Sequence, residues 1–115
     1  MSGISIITDR TAHKFETITV GTTLAVSFTA TTIAPTSGSL KNNVCKEAFC
    51  VLSTNSIRFT YHQGGTPTAE VGIPLYNGQD LTLKDVANVQ AFKAIAADSS
   101  ATTNDLPVLH CTYSF

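Results

Sequence analysis

The sequence predicts an all-β protein: a single-domain β-sandwich or jelly-roll-like barrel of about eight or nine short antiparallel strands, covering residues 1–115. Three observations predict it. Apolar residues recur with a period of two and seldom 3.6, turn residues (Gly, Pro, Asn) punctuate the chain at regular intervals, and threonine is the commonest residue. Period-two alternation buries one face of a strand. Gly, Pro and Asn supply the backbone angles of turns. Threonine is β-branched, which suits a pleated, half-exposed strand and disfavours a helix.

The elements follow in order. Ile4, Ile6 and Thr8 alternate with Ser5 and Ile7 in a short opening strand, and residues 1–14 read as an N-terminal arm or edge strand. From Phe15 to Val20, Glu16, Ile18 and Val20 share one side, with Phe15, Thr17 and Thr19 on the other. After Gly21, the residues Leu24, Val26, Phe28 and Ala30 form the cleanest apolar face of the chain, which predicts a half-buried strand. Residues 34–43 carry Pro, Gly, Ser and Asn and predict a loop. Ala48 to Leu52 is continuously apolar, the pattern of a central strand covered on both faces. Ile57, Phe59 and Tyr61 alternate with Arg58, Thr60 and His62, and the Asn55-Ser56 turn predicts a hairpin between these two runs.

Gln63 to Glu70 holds two glycines and Pro67, which excludes a central strand. Asn77-Gly78 is a turn dipeptide between Leu75 and the pair Leu81 and Leu83. Lys84 to Gln90 admits one helical turn, with Val86 and Val89 three apart and Asp85 placed to cap it, but it is too short to be stable alone. Phe92, Ala94 and Ala96 predict the next strand, with Phe92 anchoring the core. Asp98 to Asp105 is a polar loop, and Pro107 opens a last strand from Val108 to Phe115. There is no internal repeat.

Composition narrows the function classes. At 115 residues the chain is one domain, large enough to bury roughly 60–70% of its unfolded surface. Charged residues make up 13% of it, against ~25% in ordinary soluble domains. A low-charge, Thr-rich exterior fits a surface that faces another protein, since interface cores are depleted in charge. It equally fits an ordinary β-domain with uncharged polar faces. Seven Lys and Arg against eight Asp and Glu give a net charge of −1 without runs, so no basic stripe is available to neutralise nucleic-acid phosphates. No apolar stretch approaches the ~20 residues of a membrane span. Met1-Ser2-Gly3-Ile4 has no basic region followed by an apolar core, so synthesis without export by a signal of its own is expected.

Cys45, Cys50 and Cys111 are odd in number and fit a reducing compartment better than a disulfide framework. Cys45 and Cys50 would point to opposite faces of one continuous strand. Cys50 and Cys111 sit among apolar neighbours and read as buried small hydrophobes. Recruiting His62 or His110 to a cysteine pair would require a zinc-ligand spacing that the sequence lacks.

No G-x-S-x-G, H-E-x-x-H, Walker or dinucleotide fingerprint occurs, and no enzyme activity, cofactor, metal or small-molecule substrate is expected. Gly64-Gly65 lacks the helix and Lys-Ser/Thr of a phosphate cradle and reads as a turn. His13, His62 and His110 are single and read as solvated or satisfied histidines, not general bases. Asp98 and Asp105 lack calcium-loop spacing. Arg58 and Lys93 are cations within otherwise apolar strands; each reads as an outward charge or an ion pair, such as Arg58 with Glu70, or as an intersubunit contact. Tyr61 and Tyr113 are expected to face the core and Tyr76 to be exposed, which leaves little aromatic platform for a carbohydrate- or host-surface-binding module, the alternative from another class.

A resemblance adds to this reading. The segment Ile57-Arg58-Phe59, the loop Gly65-Thr66-Pro67-Thr68, Gly72 with Leu75, Gly78, Leu81-Thr82-Leu83, Phe92-Lys93-Ala94-Ile95 and a closing strand with Tyr113 together resemble small tailed-bacteriophage virion proteins of the head-decoration (cement) type. It covers the last sixty residues or so; the first half matches only in length and strand content. The Ser/Thr-rich 98–105 loop and Pro107 depart from the pattern. The resemblance implies a structural protein of the virion, made in the host cytoplasm and placed on the capsid surface. Its partner would be the major capsid protein lattice, and its assembly a homotrimer. A neck, tail or fibre component is the alternative within the class. Expected partner contacts are Ile4, Ile6, Ile7, Pro35, Leu40, Pro67 and Tyr76, in the N-terminal segment, the two loops and the Asn77-Gly78 turn.

Overall fold

A computed structural model describes residues 13–62 and 65–115. Its elements are β1 (His13–Thr19), α1 (Ala30–Ile33), β2 (Glu47–Ser53), β3 (Ile57–Thr60), β4 (Ile73–Leu75), β5 (Asp80–Lys84), α2 (Val86–Ala91), β6 (Lys93–Ala96) and β7 (Val108–Ser114). The strands form two antiparallel sheets, four-stranded in the order β1-β7-β2-β5 and three-stranded in the order β4-β3-β6. This arrangement is consistent with a β-sandwich; among the described residues the sheets do not close into a barrel. The described strands number seven, fewer than the eight or nine expected, and the predicted opening strand at Ile4–Thr8 lies outside the described residues.

Alternation decides which way each strand faces. In β2, Ala48, Cys50 and Leu52 are buried while Phe49 and Val51 are half-buried, so this central strand is covered on one face and not on both as its apolar run predicted. In β7, Leu109, Cys111 and Tyr113 point inward. The two strands pair Cys50 with Cys111 and Leu52 with Leu109. In the second sheet Ile57 and Phe59 point inward, opposite Leu75 and Ile73 of β4 and opposite Ala96 and Ala94 of β6.

Aromatic rings join the sheets. Phe92, fully buried, stacks on Phe28 with centroids 4.4 Å apart and planes 9° from parallel. Phe28 meets Tyr113 of the first sheet edge-on at 5.2 Å, and Phe92 lies 5.8 Å from Phe59 of the second. Such offset and edge contacts add to the apolar burial of each ring. Phe92 is the core anchor that the alternation predicted.

The strand expected over 24–30 does not form. Val26 and Ala94 exchange both backbone hydrogen bonds, at 2.8 and 2.9 Å, in one isolated bridge. Leu24 is 78% exposed, and the chain turns into α1 at Ala30. This segment crosses from the β1 edge of one sheet to the β6 edge of the other, so only Val26 and Phe28 use the alternating pattern.

The hairpin expected between β2 and β3 is also absent. The Asn55-Ser56 turn passes the chain from one sheet to the other. α2 forms as the single short helix that the 84–90 pattern admitted, with Val89 buried, although Asp85 makes no side-chain cap bond.

Cys45 precedes β2, so strand alternation does not govern it; its thiol is buried and donates to the Glu47 carbonyl at 3.2 Å. Cys50 and Cys111 are buried free thiols with their sulfurs 3.5 Å apart. The hydrogen bond to Cys111, together with burial, pushes the Cys50 thiol far above its ordinary range.

Candidate interaction surface

On the outer face of the three-stranded sheet the chain's own loop covers β3, while Pro74 of β4 and Lys93 of β6 stay exposed. Thr60 Oγ1 donates to the Gly65 carbonyl at 2.6 Å, and the Arg58 guanidinium donates to the carbonyls of Ala69 at 3.1 Å and Gly72 at 3.0 Å. Pro67 is buried beneath this strap. Gly72 sits at φ +129°, and a Cβ there would lie 3.1 Å from the Phe59 carbonyl oxygen and 3.3 Å from the Arg58 and Pro67 side chains. Glycine is required for both the angle and the close approach. Arg58 thus acts inside the chain, through backbone carbonyls; its expected ion pair with Glu70 is replaced by these bonds.

The strap ends at β4, where exposed apolar side chains gather. Of the six large exposed hydrophobics among the described residues, Tyr61, Val71, Ile73 and Tyr76 lie on or beside this edge strand. Exposed apolar side chains that cluster mark interaction sites, whereas single ones are ordinary. Beside them a cleft of about 390 Å³ opens between β4 and β5, lined by Phe59, Tyr61, Ile73, Leu81, Leu83 and Asn88 among others. Tyr61 stacks on Phe59, with centroids 6.3 Å apart, and is 39% exposed. Its expected core position is corrected by the end of β3 at Thr60, beyond which the backbone leaves the sheet. Tyr76 is exposed, as expected, and is held rigidly. Its N–H donates to Gln79 Oε1 at 2.8 Å, its carbonyl accepts from Gln79 N at 2.9 Å, and Asn77 Oδ1 accepts from Thr54 N at 3.0 Å.

The other expected contacts are placed differently. Pro35 is buried at the start of the 34–43 loop and Pro67 beneath the strap, and Leu40 is half-buried. The exposed positions of these loops are their neighbours, among them Thr36, Ser39, Thr66 and Thr68. Ile4, Ile6 and Ile7 lie outside the described residues. Val71, 61% exposed, escaped the sequence reading because a valine between Glu70 and Gly72 belongs to no alternating run.

The outer face of the four-stranded sheet carries no such covering loop among the described residues. The register aligns Phe15, Thr112, Phe49 and Thr82 in one row across β1, β7, β2 and β5. Thr17, His110, Val51 and Asp80 form the next row on one side, and His13, Ser114, Glu47 and Lys84 the next on the other. Phe15 is 76% exposed. His110 Nε2 lies 3.0 Å from Ser53 Oγ, and His13 Nδ1 lies 3.4 Å from Ser114 Oγ, polar pairs on this face.

Beneath that face, Glu16 is the one carboxylate turned inward from β1. Tyr113 Oη donates to Glu16 Oε1 at 2.6 Å, the Thr29 N–H donates to the same oxygen at 3.3 Å, and the Thr29 hydroxyl donates to Oε2. Burial and the adjacent Glu16 carboxylate push the Tyr113 phenol well above its ordinary value. The clamp fixes the crossing segment to β1 and is structural.

Asp98 and Asp105 close turns within the polar loop expected at 98–105. Asp98 Oδ1 accepts from Ser100 N and Oγ, which holds its carboxyl below the usual range, and Asp105 Oδ1 accepts from Thr102 N and Oγ1. Among the described residues no three His, Cys, Asp or Glu side chains gather as metal ligands would, and no helix is long and apolar enough to cross a membrane. No protein-family profile, curated protein or solved structure matches this chain.

Proposed function

We propose that this protein is a non-enzymatic structural protein of a bacteriophage virion, of the head-decoration type, which binds the outer surface of a lattice of major capsid protein and stabilises the shell. The observation that carries the reading is the apolar rim at β4, where Tyr61 and Ile73 are exposed at an open cleft and Val71 and Tyr76 are exposed on the chain either side of the strand. The rim is presented by a rigid strap and a rigid turn, so little conformational entropy is lost when a partner covers it. The resemblance of the 57–115 segment supplies the partner.

Stabilisation would then be additive. A subunit that binds only the mature lattice contributes ~2.7 kcal/mol when present at a hundred times its dissociation constant, and the contribution repeats at every equivalent site. Attachment through an apolar rim resists salt, whereas exposed ion pairs weaken as the Debye length falls to ~3 Å at 1 M.

Quantitative mass analysis of purified particles tests the location. Copies in the hundreds fit shell decoration, while the small multiples set by a neck, tail or fibre axis overturn it. Washing the particles in molar salt tests the mode of attachment, and quantitative release by salt alone would overturn an apolar contact. Val71→Asp and Tyr76→Ala, both at exposed positions, are expected to fold normally and to lose attachment.

A further inference from the structure

We infer that Cys50 and Cys111 are a latent disulfide, a modification site at which oxidation staples β2 to β7 across the middle of the four-stranded sheet. The inference rests on strand register and not on the shell reading.

The register sets the two residues directly opposite one another. Opposed residues of antiparallel strands have Cα atoms ~4.5–5.5 Å apart, inside the ~4.4–6.8 Å that a disulfide spans. Both side chains turn to the same inner face, since Ala48, Cys50 and Leu52 alternate inward on one strand and Leu109, Cys111 and Tyr113 on the other. The sulfurs already stand 3.5 Å apart, with the Cys50 thiol donating to the Cys111 sulfur. A bond of ~2.05 Å therefore needs a small closing rotation of two side chains and no shift of register. The hydrogen that Cys50 gives up serves the same sulfur that the new bond reaches, so closure leaves no hydrogen bond of that thiol unmet. Cys45 precedes β2 and stands outside this register.

The reaction is an exchange with a disulfide oxidant such as oxidised glutathione. One cysteine, as thiolate, attacks the oxidant and expels a glutathione thiolate; the other, as thiolate, attacks the mixed disulfide and expels the second. The oxidant gains two electrons and two protons, and the two cysteines lose them. The hydrogen bond to Cys111 and burial hold the Cys50 thiol protonated, and both side chains are buried, so exchange runs through openings of the β2–β7 pair. Oxidation is thus slow in the folded protein but favoured at equilibrium. The fold holds together two sulfurs that lie 61 positions apart in the chain. The ring that closes contains β3, β4, β5, α2 and β6 whole, so one bond ties the entire three-stranded sheet to the middle of the four-stranded one. A chain that folds with its thiols reduced acquires the staple on passing to an oxidising compartment.

Equilibrating the full chain anaerobically with mixtures of reduced and oxidised glutathione, then trapping with acid and N-ethylmaleimide, tests the inference. Trypsin separates the three cysteines into peptides 42–46, 47–58 and 94–115, because Lys41, Lys46, Arg58 and Lys93 flank them. Mass spectrometry then reads each linkage directly. In native buffer the linkage of 47–58 to 94–115 is expected, at a disulfide-to-dithiol ratio about a hundredfold above that of the same chain in denaturing urea. The oxidised chain should keep the circular dichroism of the reduced one and unfold at higher urea. Cys45→Ala should leave the native ratio unchanged. A native ratio no higher than the urea ratio, a native linkage through Cys45, or an oxidised chain that unfolds at lower urea would each overturn the inference.

Discussion

Truncating Phe92 tests the aromatic bridge between the two sheets. The ring is fully buried, stacked on Phe28 at 4.4 Å and in contact with Phe59 at 5.8 Å. Phe→Ala in a close-packed core costs ~3–5 kcal/mol, the upper part of the range applying where neighbours cannot collapse into the space. Here collapse is opposed, because Phe28 and Phe59 are held by different segments of the chain. Each aromatic contact contributes a further ~0.5–1.5 kcal/mol beyond area, so a loss of about 4–5 kcal/mol is expected. A domain of this length has about 6–17 kcal/mol to lose. Urea unfolding followed by circular dichroism reads the change. With a slope of ~1–3 kcal/mol per molar urea, the midpoint should fall by about 2 M. Phe92→Leu, which keeps most of the apolar volume but loses both ring contacts, should cost ~1–3 kcal/mol, less than the alanine variant. A loss below about 1 kcal/mol for Phe92→Ala would refute the bridge and the strand phase that places Phe92 inside.

Two further predictions follow from local chemistry. Tyr113 and Cys50 both hold their protons more tightly folded than their ordinary values of 10.0 and 9.0 allow. The unfolded chain therefore releases protons first as pH rises, and stability is full below about pH 9 and lost progressively above it; urea midpoints from pH 7 to 11 measure this. Tyr113→Phe should flatten the upper part of that decline, at a cost near neutrality of ~1–3 kcal/mol for leaving Glu16 short of a donor. Gly72→Ala should lower stability by ~1–3 kcal/mol, since φ +129° is strained for alanine and its Cβ would press on Phe59, Arg58 and Pro67. Gly78→Ala, with open space around it, should cost ~1–2 kcal/mol from backbone conformation alone. Equal thermal shifts for the two would refute the strap's close packing.

Local periodicity made much of this fold legible. The phase of Glu16, Ile18 and Val20 matches β1, and Pro107 does precede β7. The core places of Cys50 and Cys111 were legible from their apolar neighbours, and that of Phe92 from its strand phase. Sheet membership was not legible, because whether an Asn-Ser turn closes a hairpin or carries the chain across a core is decided by distant partners. Residues 24–30 failed for that reason: Val26 and Phe28 alternate correctly, but the available partner, Ala94, offers a single bridge. The interaction surface was half legible. Tyr76 could be read beside its turn, whereas Pro35 and Pro67 are buried, Pro67 in the loop bonded to β3. Loop composition alone does not reveal that docking.

The position of the last strand governs how the chain must fold. β7 lies between β1 and β2, so residues of the first described strand pair with residues about a hundred positions later, His13 with Ser114. Until β7 is synthesised, β1 lacks its partner among the described strands and β2 shows an open edge along Ala48, Phe49, Cys50, Val51 and Leu52, an uncharged run. Pairings of such sequence separation are slow to form, and an unpaired apolar strand invites pairing with other nascent chains. The four-stranded sheet is therefore completed only once β7 has emerged, and removing Val108–Ser114 would take out its middle and not its fringe.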